Sequence, residues 1–393
     1  MQKPYRQSPA KTHWFYDKWI LIPTLCLIAF GLLMVASASM VISDRQFDYP
    51  FHYLIRQSIY VCLALGLGWS ATRIPIEFWR KYSPTIMLAT LFLLVLVLVP
   101  GIGRVVNGSR RWLWLGFTTI QVSEIAKLAT VLYLASYLQR YQREVIEELK
   151  GFIKPMILLV LIAVLLLLEP DFGALAVISA TVLMLLFIAG VRLWPFSALF
   201  VLVVSALASL AIMSPYRMAR LTSFLNPWSH QFDSGYQLTQ SLIAFGRGGF
   251  FGVGLGNSVQ KLFYLPEAHT DFLFAVIAEE LGLVGEIIFV GLFVILIGRI
   301  FLIARQAFKQ SQFFAAYVAY GCGTWFGMQA LINVGVNAGL LPTKGLTLPF
   351  ISYGGSSMLI NCLVIGILLR ISYEVQIGGG IISRFLKAAF LGK

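Results

Sequence analysis

The chain has 393 residues, of which 59 % are hydrophobic and only 12 % are charged. Soluble domains carry about 25 % charged residues, so this composition excludes a soluble globular protein and predicts an all-α polytopic membrane protein. The formal net charge of +13 would suit a nucleic-acid partner, but no soluble domain that could hold a duplex is visible. We therefore expect no nucleic-acid partner.

Ten segments are long and apolar enough to cross a bilayer, which takes about 20 residues in a helix. The fifth is short, and the ninth contains several glycines that could break it. No soluble domain interrupts the series, so one membrane domain (19–373) lies between a basic N-terminal tail (1–18) and a C-terminal tail (374–393). The predicted transmembrane helices are 19–40, 57–74, 84–101, 121–138, 155–169, 172–190, 193–214, 272–298, 312–340 and 352–373.

The positions of Lys and Arg orient these helices, because both residues are enriched in cytoplasmic loops. The cytoplasmic side holds most of the Lys and Arg residues when both termini are placed in the cytoplasm. Helices seven and eight are then joined by a large outer loop (215–271). The outer loops still hold several cations against this bias, which predicts an anionic partner on the outer face.

Two pairs of charged residues lie before and at the start of helix four. Arg110 and Arg111 adjoin each other on the outer side, and Arg is the preferred bidentate ligand of phosphate. Glu124 and Lys127 are three residues apart and share one face of the helix. They could neutralise each other inside the bundle, or Lys127 could bind an anionic group while Glu124 positions a base. The residues leave both readings open.

Two later segments have irregular composition. The turn EPDFG holds Glu169 and Asp171, and its proline accounts for the chain break, so a structural role is favoured. Residues 333–357, between helices nine and ten, are unusually polar and rich in Gly and Pro. Irregular backbone at membrane depth must be covered by protein or water. This segment therefore predicts a re-entrant stretch that lines a cavity, with Lys344 as a candidate substrate ligand.

The outer loop is polar and rich in glycine, and loops this long are more often binding or catalytic elements than connectors. Two of its stretches, YRMARLTSFL and YQLTQSLIAF, have the spacing of short amphipathic helices at the membrane interface. Arg217 and Arg220 belong to the first stretch. The loop therefore brings cations to the outer face, where they could bind an anionic substrate.

The end of this loop, at the mouth of helix eight, holds the candidate catalytic residue Asp271. Glu267, His269 and Asp271 are spaced two residues apart, so an extended segment would point all three the same way. Glu267 and His269 are therefore candidates for substrate binding. Asp271 could instead, or as well, cap helix eight, where the helix dipole favours a carboxylate.

One base surrounded by cations suits a particular class of reaction. Glycosidases need two carboxylates, because their leaving group must be protonated. A pyrophosphate leaving group needs no general acid, so one base for the acceptor hydroxyl and cations for the departing phosphates suffice. This pattern predicts a membrane-embedded transferase that uses a lipid-pyrophosphate sugar. A transporter of ions or lipids with the same charges is the alternative.

Several motifs, in order along residues 107–357, resemble those of the SEDS family (shape, elongation, division and sporulation), whose fold implies ten helices. The resemblance implies a peptidoglycan glycosyltransferase that polymerises lipid II into β-1,4 glycan strands at the outer face of the bacterial cytoplasmic (inner) membrane. PTKG at 342–345 is more similar to division-type than to elongation-type members, which implies septal cell-wall synthesis. The motifs are NGSRRWLWLG, QVSEIAK, EPDFG, YRMARL, NPW, GYQLTQSLIAFGRGG, GLGNSVQKLFYLPEAHTDFLFAVIAEELG and LLPTKGLTLPFISYGGSS.

The resemblance also implies roles for residues and partners. The family's essential loop aspartate falls on Asp271, as general base for the acceptor sugar's 4-hydroxyl, and its helix-four pair falls on Glu124 and Lys127. The implied partners are lipid II (a disaccharide peptide on undecaprenyl pyrophosphate), a class B penicillin-binding protein transpeptidase, other divisome proteins and membrane lipid. No cofactor is assigned; a divalent cation, Mg²⁺ or Mn²⁺, is left open without ligands. A lipid II flippase, an elongation-type paralogue and a scaffold for a partner synthase are the alternatives.

The chain departs from the family pattern at three positions. Val122 stands where the family usually has the proline of QPSE, which leaves Glu124 in place. Glu169 stands where the glutamine of QPD is usual and so adds a carboxylate. Arg247 occupies a position where a small residue is commoner, and it could add a phosphate contact or a surface charge.

Overall fold

Helices make up most of the computed structural model, which describes residues 16–106, 109–114, 116, 119–213, 215–343 and 345–391. In these residues ten helices have at least 17 residues, and each overlaps one predicted transmembrane helix. Seven of the ten are long and apolar enough to cross a membrane, which confirms the all-α polytopic membrane fold. The helices are α1 (Lys18–Phe47), α2 (His52–Arg73), α3 (Ile76–Leu98), α4 (Val122–Arg140), α5 (Gln142–Glu147), α6 (Leu149–Leu168), α7 (Phe172–Ile188), α8 (Leu193–Ile212), α9 (Pro215–Leu225), α10 (Tyr236–Gly248), α11 (Leu273–Lys309), α12 (Phe313–Asn337) and α13 (Gly355–Leu391).

Some helix boundaries differ from the prediction. The ninth predicted helix, α12, is unbroken, and the break lies instead in the eighth, α11, at Gly282. Helix α4 ends at Arg140, and the chain turns into the short α5 before α6 begins. The two amphipathic stretches of the outer loop form α9 and α10, as predicted. Helix α13 runs on to Leu391, so most of the predicted C-terminal tail is helical.

A small antiparallel sheet between α3 and α4 was not predicted. Its strands β1 (Gly103–Val106), β2 (Ser109–Trp114) and β3 (Thr119–Gln121) pair in that order. The pairing of β1 with β2 has a bulge at Arg111, because Arg104 pairs with Trp112 while the next residue, Val105, pairs with Arg110. β3 leads directly into α4, so the sheet fixes the position of Arg111 relative to that helix.

Helix α12 lies at the centre of the bundle, where it packs against α4, α7 and α11. Trp325, Phe326 and Tyr317 of this helix are among the largest fully buried side chains. Helix α8 lies at the periphery and packs on α7 and α9. The polar groups that α12 carries therefore lie far from lipid and need partners inside the protein.

The break in α11 is filled by backbone from the outer loop. Gly282 has φ 64° and ψ −165°, which no helical residue adopts. The break frees two carbonyls before it and two N–H groups after it, which would be costly to leave unpaired in an apolar bundle. Residues 249–254 supply partners to all four. The bonds join Val253 N to Glu279 O (3.0 Å), Gly254 N to Glu280 O (3.0 Å), Leu283 N to Gly249 O (3.0 Å) and Val284 N to Phe250 O (3.2 Å).

Buried side chains hold the same loop in place. The carboxylates of Glu279 and Glu280 are fully buried, and each pairs with a cation of the loop, Arg247 at 3.4 Å and Lys261 at 2.8 Å. The hydroxyl of Ser37 in α1 also donates to Glu280 (2.7 Å). Arg247, one of the departures from the family pattern, is thus engaged in an ion pair with α11.

Glycine is required where these two backbone segments meet. A Cβ on Gly282 would stand 2.3 Å from the backbone nitrogen of Gly252, and a Cβ on Gly252 would stand 2.1 Å from the carbonyl oxygen of Glu280. Both glycines also have positive φ, which side chains disfavour. Because the neighbours are backbone atoms, no change of rotamer can make room.

We expect Gly282→Ala to lower the thermal unfolding midpoint of the purified protein by several degrees or to abolish folding, because backbone must move and hydrogen bonds must break. Gly291→Ala in the same helix is the matched control, since nothing lies within 4 Å of its added Cβ. Thermal unfolding in detergent measures both. Equal midpoints for the two variants would contradict the steric requirement.

Candidate active site

Asp271 lies in a turn that immediately precedes α11. The backbone of Glu267 is left-handed (φ 57°), and its carbonyl accepts hydrogen bonds from the N–H groups of Thr270 (3.1 Å) and Phe272 (3.3 Å). The predicted extended segment is therefore wrong, because the chain turns here and its side chains do not alternate. Phe272, not Asp271, occupies the N-cap position of α11, so the structure does not support the capping role.

The carboxyl group of Asp271 lies against Gly345, where a Cβ would stand 2.8 Å from Oδ2. Burial raises the pKa of Asp271 to about 7, and the carboxylate of Glu267 adds to the rise. The guanidinium groups of Arg111 and Arg220 act in the opposite direction on this pKa. A carboxylate with a pKa near the working pH is a better proton acceptor than an exposed aspartate. Asp271 therefore has the properties of a general base.

Two of the predicted arginines are close enough to act on Asp271 electrostatically. Arg111 lies 3.6 Å from Oδ1 of Asp171, and its Nε has no hydrogen-bond partner among the described residues. Arg220 reaches from α9 to donate to the carbonyl of Thr343 (3.2 Å). Both guanidinium groups create positive potential beside the carboxylate, where a negatively charged leaving group could be stabilised.

The remaining predicted cations of the outer side have other surroundings. Arg110 donates to the carbonyl of Leu98 (3.1 Å), at the end of α3. Arg217 belongs to α9, but its side chain lies outside the described residues, as does the whole of Lys344. Substrate binding by these three residues stays a prediction.

Glu124 and Lys127 form a buried ion pair at 2.7 Å. Lys127 also donates to Oε1 of Gln329 (2.9 Å) and lies 4.8 Å from the ring centre of Trp325. Of the two readings left open, these contacts favour mutual neutralisation inside the bundle. A role for either residue in substrate binding stays a prediction.

His269 is buried beside two aromatic rings. Its imidazole lies 4.8 Å from the ring of Tyr53 and 5.7 Å from that of Tyr353, and its carbonyl accepts from the N–H of Tyr353 (3.0 Å). Burial lowers the pKa of His269, although the carboxylate of Glu267 opposes this. The ring is therefore neutral at physiological pH. Sequence reasoning missed Tyr53, and the SYGG motif was the only signal for Tyr353.

The EPDFG turn has the structural role that was favoured. Asp171 caps α7 through the N–H of Ala174 (3.2 Å) and accepts from the hydroxyl of Ser123 (2.7 Å) and the amide of Gln121 (3.0 Å). These contacts join β3, α4 and α7. Glu169, directly after α6, is fully buried, and neither carboxyl oxygen has a hydrogen-bond partner among the described residues.

The surroundings of Glu169 keep its carboxyl group protonated at neutral pH. Burial raises its pKa to about 8, the carboxylate of Asp171 adds to the rise, and Arg111 opposes it. A neutral glutamic acid side chain has nearly the same size and shape as the glutamine that the family usually has here. The extra carboxylate predicted from the sequence therefore adds no negative charge at pH 7.

No cluster of three or more His, Cys, Asp or Glu residues that could hold a metal ion occurs within the described ranges. The optional divalent cation, Mg²⁺ or Mn²⁺, stays a prediction. Such a hard cation takes oxygen ligands, and Mg²⁺ is commonly held by one or two carboxylates together with substrate phosphates. Asp271 and Glu267 are the carboxylates that the turn could offer.

Comparisons with known proteins agree on one family. Residues 18–377 match the family model FTSW_RODA_SPOVE, described as "Cell cycle protein". The "Probable peptidoglycan glycosyltransferase FtsW" of Coxiella burnetii (strain RSA 493 / Nine Mile phase I) is 68 % identical over 370 residues, which cover 94 % of this chain and 100 % of that protein. The protein of the same name from Legionella pneumophila subsp. pneumophila (strain Philadelphia 1) is 58 % identical over 359 residues, 91 % of each chain.

Two solved structures have the same fold. A chain from "Structural coordination of polymerization and crosslinking by a peptidoglycan synthase complex" superposes with a TM-score of 0.76 at 28 % identity and covers 92 % of this chain and 98 % of that chain. The Rod shape determining protein RodA of Thermus thermophilus superposes with a TM-score of 0.68 at 28 % identity, with the same two coverages.

Breaking the buried ion pair tests its structural role. We expect Lys127→Met to destabilise the protein by about 3–5 kcal/mol, because Glu124 is left as an uncompensated buried charge. The double variant Lys127→Met/Glu124→Gln should recover most of the thermal stability. Unfolding midpoints measure both, and a stable single variant would contradict the structural role. A double variant that is as stable as wild type but cannot bind substrate would instead assign Lys127 to binding.

Glu169→Gln tests the protonated carboxyl group. The folded-state pKa of about 8 exceeds the usual 4.5, so wild-type stability is full below pH 4.5 and is lost as the pH rises toward 8. The variant lacks this dependence. We expect its unfolding midpoint to exceed that of wild type by several degrees at pH 8 and to approach it at pH 5. A constant difference across this range would show that Glu169 is ionised in the folded protein.

Proposed function

This chain belongs to the family of cell cycle proteins named for FtsW, RodA and SpoVE, and from that premise we propose how it works as a peptidoglycan glycosyltransferase. Its substrate is lipid II, which it polymerises into β-1,4 glycan strands. The observation that carries this proposal is the half-buried carboxylate of Asp271, which packs against Gly345 beside two arginines and has a pKa of about 7.

The reaction is a single inverting displacement. Asp271 accepts the proton of the acceptor sugar's 4-hydroxyl as that oxygen bonds to the anomeric carbon of the donor. The bond between this carbon and the phosphate oxygen breaks, and undecaprenyl pyrophosphate leaves with the electron pair. An α-linked donor thus becomes a β-linked product without a covalent enzyme intermediate. Asp271 then releases its proton to water before the next cycle.

The arginines stabilise the leaving group. Pyrophosphate is already a weak base, so its departure needs positive potential rather than a proton. Arg111 and Arg220 both act on the site of Asp271, and guanidinium groups bind phosphate oxygens in a bidentate manner. Bringing these cations beside the base also favours its ionised form, so the same residues serve both halves of the reaction.

The similar proteins suggest a partner and a cellular location for this chain. The similar solved chain comes from a peptidoglycan synthase complex in which polymerisation is coordinated with crosslinking. We therefore expect this chain to work with a class B penicillin-binding protein that crosslinks the strands. The FtsW relatives favour the division septum of the inner membrane over an elongation role, with both termini in the cytoplasm.

Asp271→Asn is expected to reduce glycan polymerisation by at least about 100-fold, because the amide cannot accept the proton. Purified protein, together with its partner made transpeptidase-dead, is incubated with labelled lipid II and Mg²⁺ or Mn²⁺, and products are separated on a gel. Asp233→Asn, an exposed acid of the same loop, is the matched control. Polymer from the Asp271 variant would remove the base assignment. Lipid II translocation in liposomes without any wild-type polymer would favour a flippase.

The rate of polymerisation should also depend on pH. The base works only when ionised, so activity should be high above its pKa and fall tenfold per unit as the pH drops well below about 7. Initial rates at saturating lipid II between pH 5.5 and 8.5 measure this limb. A rate that stays constant down to pH 5.5 would contradict a base with this pKa.

A further inference from the structure

A line of polar side chains runs along one face of α12, which is otherwise buried in the apolar core. Trp325, Gln329, Asn333 and Asn337 are spaced four residues apart, so they lie above one another on the helix. All four are at least 98 % buried. We call this set the polar ridge. A buried amide is costly unless its hydrogen bonds are made, so the partners of the ridge show what it holds.

At Gln329, the ridge contacts α4 and the segment between α12 and α13. Gln329 accepts from the indole of Trp325 (2.8 Å) and from Lys127 (2.9 Å), and it donates to the carbonyl of Thr347 (2.8 Å). The Glu124–Lys127 pair therefore connects through one amide to the segment that contains Gly345. This segment is the one against which the Asp271 carboxylate lies.

At Asn333 and Asn337, the ridge binds the backbone of Asp271. The side-chain amides of Asn333 and Asn337 both donate to the backbone carbonyl of Asp271, at 2.9 and 3.0 Å. Asn333 also donates to the carbonyl of Leu346 (2.6 Å). The side-chain amide of Asn333 thus links the backbone of Asp271 to that of Leu346. It therefore sets the distance between Asp271 and Gly345, against which the carboxyl group lies.

Asn337 replaces a backbone hydrogen bond at the start of α11. Its Oδ1 accepts from the N–H of Ala275 (3.1 Å), while its Nδ2 donates to the carbonyl of Asp271. The same N–H of Ala275 also donates to the carbonyl of Phe272 (3.1 Å). In a regular helix this N–H and the carbonyl of Asp271 would bond to each other. The amide is inserted between them in place of that bond. Asp271 is therefore held just outside the helix by a side chain of α12.

We propose that Asn333 and Asn337 are positioning residues that hold the carboxylate of Asp271 in place for the acceptor hydroxyl. The proposal rests on the proposed function of Asp271. It differs from a general role in folding, because both amides converge on the one carbonyl that belongs to the base. Displacement of a reacting group by about 1 Å can cost about 100-fold in rate, so loss of either amide should act on catalysis more than on substrate binding.

The test compares Asn333→Leu and Asn337→Leu with Asn361→Leu. Asn361 is an equally buried asparagine in α13 that donates to Ser357 and, among the described residues, forms no hydrogen bond with Asp271 or Ala275. Polymerisation by the full chain with its partner is measured over a range of lipid II concentrations. We expect kcat to fall by about 100-fold in the two ridge variants with KM within threefold of wild type. In Asn361→Leu we expect kcat within threefold of wild type.

The pH profile gives a second readout that a purely structural role would not move. A loosened carboxylate admits water, so its pKa should fall and the acid limb of the rate profile should move to lower pH. If the leucine variants do not fold, Asn333→Ser and Asn337→Ser leave room for a bridging water, and the same changes are expected in smaller size. An unchanged acid limb together with kcat within threefold of Asn361→Leu would overturn the proposal.

Hydrogen exchange separates this proposal from the proposed function. The N–H of Ala275 loses one acceptor in Asn337→Leu, so amide exchange over residues 272–275 should become faster than in wild type or Asn361→Leu. If wild type makes no polymer, the proposed function fails, and exchange alone then decides whether Asn337 holds this turn. Unchanged exchange would overturn the positioning role in either case.

Discussion

The need to pair backbone polar groups inside an apolar bundle governs this molecule. Water cannot satisfy such groups at membrane depth, so each departure from regular helix must bring its own partners. The break at Gly282 is completed by four backbone bonds from the outer loop. The start of α11 is completed by the amide of Asn337. The part of α11 between Leu273 and Gly282 is therefore fixed at both ends by other segments. Asp271 lies in the turn just before this part of the helix.

The charges near Asp271 act against each other in a way that suits its chemistry. Burial and Glu267 raise the pKa of the base, while Arg111 and Arg220 lower it. A carboxylate that was only buried would stay protonated, and one that was only paired with arginine would be a weak base. The balance keeps the group near its midpoint at neutral pH. In the proposed mechanism, the same arginines also provide positive potential for the phosphates of the substrate.

Apolar runs were sufficient to predict the ten long helices, and motif resemblance singled out Asp271 as the candidate base. Other features could not be predicted because their causes lie far apart in the chain. Nothing local marks Gly282 as a break, since its partners come from residues 249–254. Asn333 and Asn337 resemble scattered polar residues in an apolar helix, because their acceptors belong to a distant turn. Arg110 and Arg111 look equivalent in the sequence, but Arg110 donates to the carbonyl of Leu98 and Arg111 lies beside Asp171.

The contact between Gly252 and Gly282 also limits how this protein can change. A packed side chain that becomes larger can be accommodated when its neighbour becomes smaller, so two substitutions in succession can preserve a core. Here each added methyl group would meet backbone atoms, and no substitution elsewhere can shrink a backbone. An evolutionary path or a designed library that alters this contact would have to re-route both segments together. Variation should therefore be easier among the charged residues of the loop than among its smallest ones.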